Sequence, residues 1–169
     1  MTKPHDEVDE IVAAWQSQRP DLDVGPLAVL SRVTRLAHHL DKARAQAFEA
    51  HDLESWEFDV LAALRRAGSP FSLSAGDLMR QTMVTSGTMT NRIDRLSTSR
   101  LVTRQPDPAD GRGVLVVLTA EGLNRVDAAL SDLLVREHEI LSALSNAERN
   151  QLADILRNLI KPFDGNENE

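Results

Sequence analysis

Apolar residues recur along this chain with the spacing of amphipathic helices, interrupted once by a pair of β-branched runs. Val8, Ile11, Val12 and Trp15 stand at i, i+3, i+4 and i+7, which predicts a short helix over 5–18 that stops at Arg19-Pro20. After the linker DLDVG, Pro26 opens a long helix running to about residue 50, with Leu30, Val33, Leu36, Ala37 and Leu40 along one stripe. A third helix spans roughly Glu54 to Arg66 and is stopped by Gly68 and Pro70. Ser74 with Asp77 resembles a capping box opening a fourth, short helix. A fifth follows after a turn, TSGTMTNRIDRL from Thr85 to Leu96, with Met89, Ile93 and Leu96 as its packing stripe. Then come LVTRQ and VLVVLT around the loop PDPADGRG, the pattern of a β-hairpin. Thr119 caps a long helix to about Ser142, and Ser145 with Glu148 forms the capping box of a last helix that ends at Lys161-Pro162.

A short helix, a turn, a polar second helix and a hairpin together predict a winged helix-turn-helix within a mainly α fold carrying a small β-wing (α+β). At about 100° per residue, Gly87, Asn91 and Thr98 lie opposite the Met89–Ile93–Leu96 stripe, with Thr88, Thr90 and Arg95 at its margins. Small, hydrogen-bonding and basic residues on one exposed helix face suit a DNA major groove. Ser86, Gly87, Thr88, Thr90, Asn91 and Arg95 are therefore the expected contacts to double-stranded DNA. With 169 residues, 41% of them apolar, the chain can bury one good core, so a single domain is expected, with the DNA-reading lobe at 54–118. Leu123, Val126, Leu130, Leu133 and Leu134, and then Leu152, Ile155, Leu156, Leu159 and Ile160, form apolar faces too long for that lobe to cover. Helices at 26–50 and 119–161 are accordingly expected to join two copies into a homodimer, presenting two recognition helices to a two-fold-symmetric operator. The alternative is an intramolecular helical hairpin in a monomer.

Net charge, −7, suits a DNA binder only when it is divided along the chain. Between Arg80 and Arg112 six arginines face Asp94, Asp107 and Asp110, a local +3 that leaves −10 for the remainder. A basic face on an acidic body can follow phosphates while discouraging indiscriminate binding. Without cysteine, no disulfide, thiolate ligand or cysteine redox switch is possible. His138-Glu139 begins like a zinc-helix motif, but Ser142 stands where its second histidine would be, so no metal site is expected. No nucleophile elbow or phosphate loop occurs; neither catalysis nor a cofactor is expected. An acidic N-terminus without an apolar signal region, and no long apolar run, point to a cytoplasmic protein away from membranes. His38 and His39 lie on the long helix, where a structural or exposed role is expected and pH sensing is the alternative.

The block VTSGTMTNRIDRL followed by LVTRQPDPADGRGVLVVLTAEG resembles the multiple antibiotic resistance regulator (MarR) family over nearly the whole chain, with Asp110-x-Arg112…Leu118-Thr119 as its wing pattern. The resemblance implies that Asp110 and Arg112 belong to the DNA-contacting wing, Arg112 entering the minor groove. Gly111 departs from it, since many members carry a second basic residue there. A narrower resemblance, through WQSQRPDLD, EFDVL, NRIDRL and LVTR, is to the urate-responsive, PecS-like branch. It implies a ligand site built from Trp15, Asp59, Arg92 and Arg104. Arg92 lies about 60–70° off the packing stripe and can point sideways into a cleft. Two arginines can grip a planar oxyanion, an indole can stack on it, and Asp59 is expected to meet Arg92 when no ligand is bound. The function so implied is a repressor released from DNA by a small anion, urate or a related oxopurine. The alternatives are a phenolic or polycarboxylate anion as effector, or an effector-independent, architectural DNA binder.

Overall fold

A computed structural model describes residues 5–108 and 113–163. Asp110 and Arg112, the wing residues implied by the family resemblance, lie outside the described residues. Helix α1 (Glu7–Gln18) starts on a full capping box: Asp6 accepts from the amides of Val8 and Asp9, and Asp9 returns a bond to the Asp6 amide. It lies on α2 (Gly25–Glu49) through buried Val8 and through Arg32, whose guanidinium reaches both Asp6 and Asp9 at 2.8 Å. Pro26 sits in the first turn of α2, where its missing amide hydrogen costs nothing. Only the far end of α2 is buried, at Ala47 and Phe48; Val29, Leu30, Val33 and Leu36 stay exposed. His38 and His39 also lie on this exposed stretch, their rings 6.0 Å apart.

Helix α3 (Ser55–Arg66) is the centre of the core, burying Phe58 and Val60 to Leu64. Phe48 and Phe58 stack with centroids 4.0 Å apart and join α2 to α3. Around α3 pack α4 (Ala75–Thr82), α5 (Ser86–Thr98) and α6 (Ala120–Ile140), contributing Leu78, Met89, Leu96, Val126 and Leu133. The sheet has order β1-β3-β2: β1 (Ser72–Ser74) pairs antiparallel with β3 (Val114–Leu118), which pairs antiparallel with β2 (Val102–Pro106). The hairpin is where the apolar pattern puts it. The three-residue β1 is an addition, because its pairing of Leu73 with Val116 is a property of β3 and leaves no alternation of its own in the sequence.

Ser74 caps α4 through the Asp77 amide (3.1 Å), Thr119 caps α6 through the Gly122 amide (3.0 Å), and Ser145 and Glu148 form the capping box of α7 (Asn146–Ile160). α7 buries no residue, and Ile155, Leu159 and Ile160 are each about half exposed.

Candidate nucleic-acid interface and ligand cleft

α4 and α5 are joined by a tight turn because Met83 takes the left-handed conformation (φ 52°) that ends a helix, a position glycine or asparagine usually fills. Thr85 then starts α5, which anchors by Met89, Ile93 and Leu96, all within 3% of full burial. Ser86, Gly87, Thr88, Thr90, Asn91 and Arg95 are exposed, as the helical wheel requires. Their chemistry is uneven. Thr90 gives its hydroxyl hydrogen to the Ser86 carbonyl (3.1 Å), and Thr88 bonds Thr85 (3.0 Å), which turns both hydroxyls back onto the helix. Among the described residues the Ser86 and Asn91 side chains have no partner, which leaves them to donate or accept. Nothing lies within 4 Å of the place a Gly87 Cβ would occupy, so internal packing does not demand this glycine.

The basic residues are more restrained than their count suggests. Arg80 pairs with Asp77, whose carboxyl is held below its ordinary range first by the Ser74 hydroxyl and then by Arg80. Arg104, on β2, pairs with Asp94 at 2.6 Å. Arg95 is drawn to Glu54, at the start of α3, and its guanidinium lies 4.6 Å from the Trp56 ring centre. Arg92, half-buried, lies 5.5 Å from the same ring. The Trp56 indole donates to the other Glu54 oxygen at 2.8 Å, and this bond, with Arg95 second, holds the Glu54 carboxyl below its ordinary range. Glu54 and Trp56 had no signal in the pattern of the chain: Arg95 is 41 residues further on, and only the packing of α5 on α3 brings them together.

A second feature lies where α2, α3 and the end of α4 meet. Arg44, Phe58, Asp59, Ala62, Arg66, Gln81, Thr82 and Met83 line a cavity of about 270 Å³. Arg44 donates to Asp59 at 3.0 Å while its guanidinium sits 5.2 Å from the Phe48 ring centre and 5.9 Å from that of Phe58. The expected contact between Asp59 and Arg92 is thus not made. Asp59 faces α2, where Arg44 neutralises it, whereas Arg92 leaves α5 toward Trp56 one turn earlier on α3. Trp15 is 50% exposed and lines a separate apolar groove with Ile11, Ala14 and Gln18. Within one subunit, Trp15, Asp59, Arg92 and Arg104 therefore hold four different sets of neighbours. Arg44 went unnoticed in the sequence because a single arginine on a long helix looks like any solvated charge.

A left-handed turn leading into a polar, exposed helix, flanked by a β-hairpin, defines a winged helix-turn-helix DNA-binding protein. The chain belongs to the MarR family, whose profile matches residues 51–113. It is 35% identical over 150 residues to the HTH-type transcriptional regulator PecS of Dickeya dadantii, covering 89% of this chain and 90% of that one, which supports a place in the PecS-like branch. It is 30% identical over 143 residues to the HTH-type transcriptional repressor NicR of Pseudomonas putida, covering 82% and 89%. Among solved structures it resembles BpsR of Bordetella bronchiseptica, described by its regulation of DNA binding by 6-hydroxynicotinic acid, with a TM-score of 0.65, 28% identity and coverage of 78% and 91%. These relatives are transcriptional regulators and not enzymes; MarR regulators bind DNA and small molecules, typically as dimers. No helix among the described residues is long and apolar enough to cross a membrane.

Proposed function

We propose that this regulator is a homodimeric cytoplasmic repressor that a small planar anion, urate or a related oxopurine, releases from a pseudo-palindromic operator. The observation that carries the ligand-controlled reading is the cavity holding Arg44, Asp59 and Arg66, because one of its walls is Met83, the residue that turns the chain into α5. In this proposal α5 reads the major groove through Ser86, Gly87, Thr88, Thr90, Asn91 and Arg95, and the wing with Asp110 and Arg112 follows the minor groove. An anion entering the cavity competes with Asp59 for Arg44 and meets the apolar ring of Phe58. Arg92 and Arg104, assigned to the ligand by resemblance to the PecS-like branch, must then leave Trp56 and Asp94. Both partners belong to the DNA-binding lobe, so moving these arginines disturbs the reading face itself. Trp15, left half exposed on α1, supplies the aromatic wall when the subunits assemble. The ligand must bind the DNA-incompetent arrangement more tightly, since equal affinity for both would shift nothing.

The arginines and apolar wall also suit an aromatic monocarboxylate, and the BpsR relative is described with 6-hydroxynicotinic acid. Titrating urate and 6-hydroxynicotinic acid separately into the protein bound to a fluorescent duplex from its own upstream region distinguishes the two. Urate should release the duplex from the wild type, and Arg92→Ala should stay bound at that concentration while remaining a folded dimer. Release of Arg92→Ala at the wild-type urate concentration overturns the assignment of Arg92. Release by the carboxylate alone replaces urate as effector, and release by neither overturns both effectors.

A further inference from the structure

Arg95 stands four residues after Asn91, so the two share the outward face of α5. Among the described residues the Asn91 side chain has no partner, yet the Arg95 guanidinium is folded back off that face onto Trp56 and Glu54. Three groups cooperate in this. The Trp56 ring offers a π-face to the cation, its N–H fixes one Glu54 oxygen, and the second Glu54 oxygen receives Arg95. Glu54 also opens α3 as half of a capping box with Glu57, whose carboxylate accepts from the Glu54 amide at 2.9 Å. Capping alone does not call for the two further contacts of this carboxylate, to the Trp56 indole and to an arginine of the recognition helix.

We infer that Glu54 is a specificity-determining residue: with Trp56 it holds Arg95 away from non-cognate DNA, so that only the correct base sequence draws Arg95 into the groove. Specificity is a difference of affinities, and it rises when the wrong partner is penalised as well as when the right one is favoured. On random DNA the phosphates must compete with Glu54 for Arg95 and also approach a negative charge. On the operator a bidentate contact from Arg95 to a base edge compensates for leaving Glu54 and Trp56. The pair is about half exposed on both sides, which keeps the restraint small enough to be overcome.

This inference rests on the DNA-reading role of α5, and the experiment separates the two. A duplex selected by the wild-type protein from a random pool serves as operator, against a scrambled duplex of equal length. Failure of the wild type to prefer the selected duplex would refute the DNA-reading role itself. Given that preference, Glu54→Gln should bind scrambled DNA about threefold to tenfold more tightly, as expected for releasing a surface ion pair in each subunit. Its salt dependence on scrambled DNA should steepen by about 2, one added phosphate contact per subunit. The double variant Glu54→Gln/Arg95→Gln should lose that gain. Arg95→Gln alone, which leaves α3 untouched, should weaken the selected duplex about tenfold or more and the scrambled one less than twofold. Unchanged scrambled-DNA affinity and slope in a folded Glu54→Gln protein, or equal losses on both duplexes in Arg95→Gln, would overturn the assignment.

Discussion

Gly122 and Gly87 show how differently two glycines of one chain are constrained. A Cβ on Gly122 would stand 2.1 Å from the Leu101 carbonyl oxygen and 3.0 Å from Leu118 Cδ2, so α6 can meet the chain leaving α5 only through a bare Cα. Gly122→Ala gains up to about 1 kcal/mol of helix propensity but forces backbone apart, so a net loss on the order of 2 kcal/mol is expected. Urea unfolding should show a lowered midpoint with an unchanged slope. Gly87→Ala meets nothing in the subunit and should leave stability equal or slightly higher, while weakening operator binding where the DNA backbone approaches closely. Loss of stability in Gly87→Ala, or full stability in Gly122→Ala, would contradict this division. The exposure of the residues proposed to read DNA was legible because exposure on a single helix follows from the 3.6-residue period alone. The partners of the arginines were not. Arg44 with Asp59, and Arg95 with Glu54, are contacts between elements, and periodicity within an element carries no information about them. Counting charge along the segment from Arg80 to Arg112 likewise missed Glu54 and Asp77, which neutralise two of its arginines from outside it.

Elements with their own start signals were the most legible. The serine and threonine caps of α4, α6 and α7 use only local backbone, so sequence suffices to place them; β1 exists only because β3 lies beside it. α1 is intermediate, since its helix is capped locally by Asp6 but its place on α2 depends on Arg32. That arrangement predicts a pH dependence. Arg32 above all lowers the Asp6 carboxyl to about 2 from an ordinary 3.8, and a depressed carboxylate stabilises the folded arrangement above its unfolded value. The contribution is therefore complete above about pH 4 and is lost as pH falls through about 2. Asp9, held low first by its bond to the Asp6 amide and then by Arg32, changes in the same direction. Amide-exchange protection in α1, corrected for intrinsic rates, should fall between pH 4 and 2 well before that of α3, and Asp6→Asn should show low α1 protection already at neutral pH. Equal protection of α1 and α3 across that range would show that Arg32 does not hold α1 in place.

At the scale of the whole molecule, the apolar surface that one subunit leaves open is the largest fact about it. α7 buries nothing, and its Ile155, Leu159 and Ile160 stand with Val29, Leu30, Val33 and Leu36 of α2 as large side chains 41–56% exposed. Apolar faces of that extent mark an interaction surface, and in the proposed homodimer both ends of the chain are covered at once. Two recognition helices then face half-sites about 10 base pairs apart, and each half-site alone binds weakly. Leu159→Glu and Val33→Glu test this without confusing folding with assembly, because neither side chain has a buried position in the subunit to lose. Each should leave the helical content intact while placing a charge in the shared interface. Sedimentation at micromolar concentration should shift from dimer to monomer. Affinity for a full operator should fall toward that of a single half-site, and its steep salt dependence should flatten as half of the phosphate contacts disappear. A Leu159→Glu/Val33→Glu protein that remains dimeric and binds the operator as the wild type does would mean that these faces are covered by something other than a second copy.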